Sequence, residues 1–513
     1  MPIFRVYLRR AASHDANWDY AETVVTASAA DAIAHAHAQW AHSVGPGIPA
    51  LPHCQSQAVL VHASSAPPAH ASPVQQALLH ALTRKVNHCL RPQLQRPFQW
   101  VNAPAGLPTP LTDGQGWRRA SLAALDSLLS VSAHGQLTLS SERFSALYQH
   151  LLLSTAFVWS EQDQNILRRQ AADSADAAQA VLDASPIVRA AALWPKEDAL
   201  QAVFDQLCRQ FGSPEALPES WAPLRQALAA YRAQAGESYA LRRWRGMAQA
   251  RLDAARAHVQ RPSADNGGAA LSDGGWGIGY QLDDPEATCA ALAHGAPAVS
   301  LSASLSDFVD GVATVTLPEQ MPFCLHSADI LSFSAGELTG VDLSRYAPPG
   351  ARIELTLCWA GLCAISPQPH ALDADNRRGW WARDILREVL ELSWEPVSSY
   401  KLVNPDFDLN YLFGPGMVFS RLSQWVISRP PTLTLRCQGV NAERLRAELA
   451  PGMAVSAQAF KLFSLGQIQG DYQLTQWRED DDSLTLTFAP RNEDCPSTAY
   501  VLGGAPAFPP LGV

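Results

Sequence analysis

The chain has 513 residues, of which 47% are hydrophobic and 17% are charged, and its formal net charge is −10. A chain well past roughly 250–300 residues is expected to form several domains, and this apolar content excludes disorder as the main state. The acidic balance disfavours a nucleic-acid partner, because that affinity comes from Lys and Arg neutralising phosphates. We therefore expect an α+β multidomain protein whose partners do not include nucleic acid.

The first twenty residues interleave charged side chains with apolar ones. Arg5, Arg9 and Asp15 interrupt the apolar run that a secretory signal requires. The most apolar stretch, residues 151–159, is about half of the roughly 20 residues that a helix needs to cross a bilayer. We expect a soluble chain, either cytoplasmic or exported without a standard signal peptide.

Residues 1–65 are predicted to form a small α/β module. Residues 4–9, 21–26 and 57–62 are typical of strands, and residues 28–40 are typical of a helix. The resulting ββαβ order predicts a small sheet with one helix packed on it, an arrangement that supports many unrelated functions. A Pro- and Ser-rich segment then predicts the first domain boundary.

Residues 74–261 are predicted to form a helical domain. The last helix carries an apolar stripe that repeats every three or four residues, and this spacing predicts packing inside a helical bundle. The stripe consists of Leu241, Trp244, Ala248, Leu252, Ala255 and Val259. Five helices are predicted here, over residues 141–157, 160–184, 196–211, 221–235 and 238–260.

Residues 276–513 are predicted to form a β-rich domain. Gly, Asp and Asn at residues 261–275 predict a flexible connector before it. Short segments that alternate apolar and polar residues follow, separated by Gly, Pro and Asp, as in antiparallel sheets packed face to face. We expect an antiparallel β-sandwich-like fold with two inserted helices, over residues 380–392 and 442–449.

Two acidic groups in the β-rich part are candidates for chemistry. Asp373 and Asp375 could act as paired carboxylates of a hydrolase, although acids before a helix also complement its dipole. Asp406, Asp408 and Asn410 provide the alternating oxygen donors of a calcium loop. The match ends there, because Tyr411 and Met417 stand where an EF-hand requires Gly and Glu. No cofactor is expected.

A basic helix and a pair of tryptophans are candidates for partner binding. Arg242 and Arg245 lie on the predicted last helix of the middle region together with three further arginines, and a cationic helix suits an acidic partner or a lipid surface. Solvated arginines on the outside of a bundle are the structural alternative. Trp380 and Trp381 could add a binding surface, because tryptophan is enriched at interfaces.

No convergent set of catalytic residues emerges from the sequence. The leading hypothesis is therefore a non-enzymatic interaction or assembly protein that binds a protein partner, a second copy or a membrane surface through its helical region. A helical bundle joined to a β-sandwich also fits a toxin-like or delivery-associated protein. The alternative is a hydrolase with a carboxylate site in the β-rich domain.

Overall fold

The structure is a computed structural model in which only part of the chain is described. The described residues are 3–10, 20–25, 33–34, 36–38, 54–62, 73–95, 98–101, 106–108, 116–131, 137–186, 195–282, 285–318, 320–372, 378–393, 395–403, 419–465, 472–480, 482–490 and 498–507.

Helices and antiparallel strands are both abundant, which confirms the prediction of a mixed α+β chain. The helices are α1 (Pro73–Cys89), α2 (Arg119–Leu125), α3 (Phe144–Leu153), α4 (Glu161–Asp173), α5 (Ala175–Ala184), α6 (Lys196–Phe211), α7 (Ala222–Gln260), α8 (Pro285–His294), α9 (Ser327–Ile330), α10 (Arg383–Leu392) and α11 (Ala442–Glu448). The first eleven strands are β1 (Ile3–Arg10), β2 (Tyr20–Val25), β3 (Cys54–His62), β4 (Gln99–Trp100), β5 (Gly106–Pro108), β6 (Ser127–Val131), β7 (Leu137–Arg143), β8 (Thr155–Val158), β9 (Ala269–Ala270), β10 (Trp276–Gly277) and β11 (Tyr280–Gln281). The remaining strands are β12 (Ala298–Val309), β13 (Val312–Thr316), β14 (Phe323–His326), β15 (Leu331–Ala335), β16 (Leu338–Asp342), β17 (Arg352–Ala360), β18 (Cys363–Ile365), β19 (Gln368–Pro369), β20 (Ser399–Leu402), β21 (Arg421–Ser428), β22 (Thr432–Gln438), β23 (Ala454–Ala459), β24 (Phe463–Leu465), β25 (Tyr472–Asp480), β26 (Ser483–Pro490) and β27 (Thr498–Ala507).

The chain divides into two compact units, and each is assembled from separate segments. Unit 1 comprises Met1–Ser141, Leu282–Gln368 and Ser420–Ala507. Unit 2 comprises Glu142–Gln281, Pro369–Phe419 and Phe508–Val513. These units differ from the three consecutive domains that the sequence predicts. Whether residues 1–65, 74–261 and 276–513 fold independently stays a prediction, because spatial contact does not test it.

An eleven-stranded antiparallel sheet, called the main sheet, dominates unit 1. Its strand order is β14-β13-β12-β17-β22-β26-β25-β23-β15-β16, with β24 paired to β23. A second sheet of five strands contains β18, β21, β27 and β4, with β5 paired to β27. At the N-terminus, β1 pairs with both β2 and β3. The ββαβ order of that module stays a prediction, because much of its helical segment lies outside the described residues.

Alternation of side chains along each strand builds the core of unit 1. On β17, Leu355 and Leu357 are fully buried, whereas Glu354 between Ile353 and Leu355 is exposed. Val426 and Leu502 of the second sheet belong to the same hydrophobic cluster as these residues. Both sheets therefore share one apolar core, and the polar residues of β17 are left on the outer face of the main sheet.

A helical bundle around α7 forms most of unit 2. This helix packs against α3, α4, α5 and α6, and Leu200, Phe204 and Leu228 lie in the shared core. Gly236 has φ 39° and ψ −97°, so α7 is kinked where only glycine adopts such a backbone easily. The segment predicted as one helix over residues 160–184 breaks at Ser174 into α4 and α5. Ser160 caps α4, since its hydroxyl accepts from the Asp163 amide at 3.0 Å.

One helix prediction in this region is wrong at its C-terminal end. The helix predicted over residues 141–157 ends at Leu153, and strand β8 follows it. The predicted connector contains local hydrogen bonds, and its flexibility stays a prediction. Asn266 is buried there and its side chain donates to the Arg261 carbonyl at 2.8 Å, while the Gly268 amide donates to the Ser263 carbonyl at 2.7 Å. Local hydrogen bonds thus satisfy several backbone groups of this polar segment.

Gly246 provides a test of the packing between α6 and α7. A Cβ atom at this position would lie 2.8 Å from Cys208 Sγ and 3.0 Å from the Phe204 carbonyl oxygen. Gly→Ala normally stabilises a helix by about 1 kcal/mol, but overpacking costs about 1–3 kcal/mol. We expect Gly246→Ala to lower the free energy of unfolding, measured by urea titration with far-ultraviolet circular dichroism.

The control for this test is a double variant. Adding Cys208→Ala should recover part of the lost stability, because it removes the closer of the two contacts. A Gly246→Ala protein that is as stable as the wild type, or more stable, would contradict the described packing.

Candidate functional site

A two-stranded ribbon lies beside α7 in unit 2. Strand β8 pairs with β20, and Phe157 is the register partner of Tyr400. The two rings are perpendicular with centroids 5.9 Å apart. The Tyr400 hydroxyl donates to the Ala248 carbonyl of α7 at 2.6 Å. These contacts fasten the ribbon to the helix.

Exposed apolar side chains are concentrated around this ribbon. Among the described residues, eight large hydrophobic side chains are exposed, and five of them lie on α7 or next to a ribbon strand. Isolated exposed apolar residues are common, so the informative feature is that five of the eight lie on or next to elements that contact one another. We call the set the ribbon surface; its members are Leu153, Trp244, Met247, Val397 and Val403.

Ring and backbone contacts place three members of the ribbon surface, Leu153, Trp244 and Val403, beside the ribbon. The Trp244 ring packs edge-on against Phe157 at 5.0 Å, yet 44% of the residue remains exposed. Met247 is one helical turn further along α7 and is 41% exposed. At the other end of the ribbon, the Val403 amide donates to the Ser154 carbonyl at 2.8 Å, which brings Val403 beside Leu153.

Several arginines of α7 form ion pairs or hydrogen bonds within unit 2. Arg243 forms an ion pair with Glu215 at 3.0 Å, and Arg251 forms one with Asp384 at 2.6 Å. Arg256 donates to the Thr155 carbonyl at 2.6 Å. The helix predicted to be a cationic surface therefore uses these guanidinium groups mainly for internal contacts.

The four residues predicted to bind a partner have different positions. Arg242 is buried, pairs with Glu197, and donates from Nε to the Tyr231 hydroxyl at 3.1 Å. Arg245 is partly buried, and its guanidinium carbon lies 5.9 Å from the ring centre of Trp159. Of the four, only Arg245 adjoins the ribbon surface.

Trp380 and Trp381 are both buried. Nε1 of Trp380 donates to the Gly279 carbonyl at 2.8 Å, and Trp381 packs on Tyr148 with ring centroids 4.8 Å apart. In this conformation the two tryptophans and Arg242 contribute to the interior of unit 2. Their role in partner binding stays a prediction.

The acidic candidates lie outside the described residues. This applies to Asp373 and Asp375 and to the predicted calcium ligands Asp406, Asp408 and Asn410. In the part of the chain that the structure describes, no group of three or more His, Cys, Asp or Glu side chains could hold a metal ion. Nor is any described helix long and apolar enough to span a bilayer. The hydrolase and calcium hypotheses therefore stay predictions.

The apolar stripe predicts Trp244 in the bundle interior, and this prediction is wrong. Leu252 and Val259 of the stripe are buried, but Trp244 points towards the ribbon and solvent. Met247 lies off the stripe, so its exposure agrees with the helical period. The ribbon itself left no clear signal, because a short apolar run such as residues 151–159 fits a helix and a strand equally well.

Glu388 of α10 supports the ribbon and provides a pH test. Its Oε1 accepts from the Tyr400 amide at 3.1 Å, and burial raises the pKa of this carboxyl above its ordinary value. The folded state then binds more protons than the unfolded state between the two pKa values, so stability falls as pH rises through that window. We expect Glu388→Gln to raise the melting temperature at neutral pH, because the amide keeps the acceptor without the charge.

The same comparison in acid provides the internal control. Below the ordinary carboxyl pKa of about 4.3, the wild-type side chain is neutral as well, and the advantage of glutamine should vanish. Glu391→Gln, at an exposed position of α10, should change the melting temperature little at either pH. Equal effects of the two substitutions at neutral pH would contradict the assignment.

Comparison with known proteins provides no relative from which a function could be transferred. No family model matches the sequence, no curated protein matches it, and no solved structure matches it. Any function of this chain must therefore be inferred from the chemistry of its own residues.

Proposed function

We propose that this chain is a non-enzymatic assembly protein that associates with a second copy of itself through the ribbon surface. The observation that supports the proposal is the concentration of exposed apolar side chains around β8, β20 and α7. Tryptophan is enriched among the residues that dominate binding energy at interfaces, so Trp244 is the expected anchor.

The spacing of two anchors favours a second copy as the partner. Trp244 and Met247 are three residues apart, so they lie on neighbouring turns of one helix face. A two-fold interface repeats every contact, because each copy presents the same surface to the other. Antiparallel docking of two α7 helices would place the ring of Trp244 against the thioether of Met247 in both directions. Sulfur–aromatic contacts of this kind are favourable by about 0.3–1.5 kcal/mol.

Charge argues against a lipid surface as the main partner. Attraction to anionic lipids requires unpaired cations around the apolar residues. Arg243 and Arg251 of α7 already pair with acidic side chains, so this attraction is weakened. A toxin-like or delivery-associated role at a membrane would require these ion pairs to open. The second candidate partner for the ribbon surface is a different protein.

We also propose a specific arrangement of modules along the chain. We describe the chain as a ββαβ module, a helical bundle and a sandwich-like β-rich part, in which the bundle provides the assembly surface. The hydrolase alternative has no support among the described residues.

Trp244→Ala tests the proposal directly. Light scattering after size exclusion, over a concentration series, should show a dimer for the wild type. Losing one interface hot spot of about 2 kcal/mol corresponds to about a 30-fold weaker dissociation constant. The variant should therefore be monomeric at concentrations where the wild type is dimeric, with an unchanged circular dichroism spectrum.

Trp276→Ala is the matched control. This tryptophan is 46% exposed in β10 of the same unit, outside the ribbon strands and α7, and its removal should leave the dimer intact. A wild type that is monomeric throughout the series would refute self-assembly. Flotation of that monomer with phosphatidylserine vesicles would instead favour the lipid alternative.

A further inference from the structure

A polar cleft lies on the outer face of the main sheet in unit 1. Its volume is about 510 Å³, within the range of roughly 300–1,000 Å³ that is usual for ligand sites. Residues of β12, β13, β17 and β22 line it. Its main polar groups are Ser304, Asp307, Arg352, Glu354, Arg436 and Gln438.

Strand register places the polar side chains in rows. Ser304 of β12 is opposite Thr316 of β13 on one side and Glu354 of β17 on the other. Glu354 is in turn opposite Arg436 of β22. Three steps between neighbouring strands, each about 4.8 Å, give this row a span of about 14 Å. Arg352 and Gln438 form a second row next to it.

A β-bulge brings another carboxylate to the cleft. The pairing of β12 with β13 is irregular between Ser306 and Val309, and Asp307 has φ 53°, in the left-handed region. Asp tolerates this backbone better than most residues, and bulges often redirect a side chain near a functional site. The Asp307 carboxylate accepts from the Ser306 hydroxyl at 2.9 Å.

The charges in the cleft are available to a ligand. Glu354 and Arg436 are direct cross-strand neighbours, a position in which opposite charges commonly pair. Nevertheless, within the described portion of the chain the side chains of Arg352, Glu354 and Arg436 form no hydrogen bond or ion pair. Water therefore satisfies these groups until a ligand with suitable donors and acceptors replaces it.

From this arrangement we infer that the cleft binds an uncharged saccharide of about two or three sugar units. A sugar hydroxyl both donates and accepts hydrogen bonds, which suits a surface where guanidinium donors, carboxylate acceptors and Ser and Thr hydroxyls alternate. Arg352 and Arg436 flank Glu354, and Asp307 adds a second acid, so the four formal charges cancel. A simple anion or cation would face a like charge next to its partner.

The test is saturation-transfer NMR on the full chain with four neutral disaccharides: maltose, cellobiose, lactose and diacetylchitobiose. The zwitterion glycylglycine serves as the charged probe. We expect at least one disaccharide to bind and glycylglycine not to bind. Glu354→Gln and Arg436→Gln should each weaken saccharide binding by about tenfold, because each removes a hydrogen bond to a charged group.

Matched controls lie outside the cleft on exposed parts of unit 1. Glu337→Gln and Arg91→Gln should leave the affinity unchanged, and all four variants should melt like the wild type because the replaced side chains are exposed. The inference is overturned if none of the disaccharides binds, if the cleft variants bind as well as the controls, or if glycylglycine alone binds.

Discussion

Two-residue alternation on antiparallel strands is the constraint on which unit 1 depends. Successive side chains point to opposite faces, so burial of Ile353, Leu355 and Leu357 commits Arg352 and Glu354 to the outer face. A register shift of one residue would expose the whole apolar row, and the core therefore fixes the register strongly. The same pairing that excludes water from the core aligns the polar rows of the cleft.

Non-local pairing explains why local sequence patterns predicted the type of fold but not its assembly. Trp100 of β4 is the register partner of Gly503 of β27. A strand from the first segment of unit 1 therefore pairs with a strand from its last segment. Periodicity reports which face of a segment is buried, but it does not report which distant segment covers that face. Alternation could thus predict antiparallel sheets, whereas the two discontinuous units could not be predicted.

Helix boundaries were predictable where capping chemistry is local. Residues 196–211 were predicted as a helix and correspond to α6, which ends at Gly212 with φ 79°. The candidate sites depended on tertiary context instead. By spacing alone, Trp244 belongs to a buried stripe. The ribbon that it contacts is formed by β8 and β20, which are far apart in sequence, so local periodicity could not predict this contact. The cleft could not be predicted from the sequence either, because its rows of polar side chains form only when four strands pair.

The arginines of the two units differ in whether they form ion pairs and hydrogen bonds within the protein. In unit 2, Arg242, Arg251 and Arg256 neutralise acids or bond to carbonyls, and removing such partners would leave buried or half-buried charge without compensation. In unit 1, Arg352 and Arg436 line a concave polar surface without such contacts among the described residues. A guanidinium that the fold does not use in an ion pair or hydrogen bond, and that the strand register holds in a row, is preorganised for a ligand. Conversely, the exposed members of the ribbon surface are apolar, so this surface suits another protein surface better than a small polar molecule.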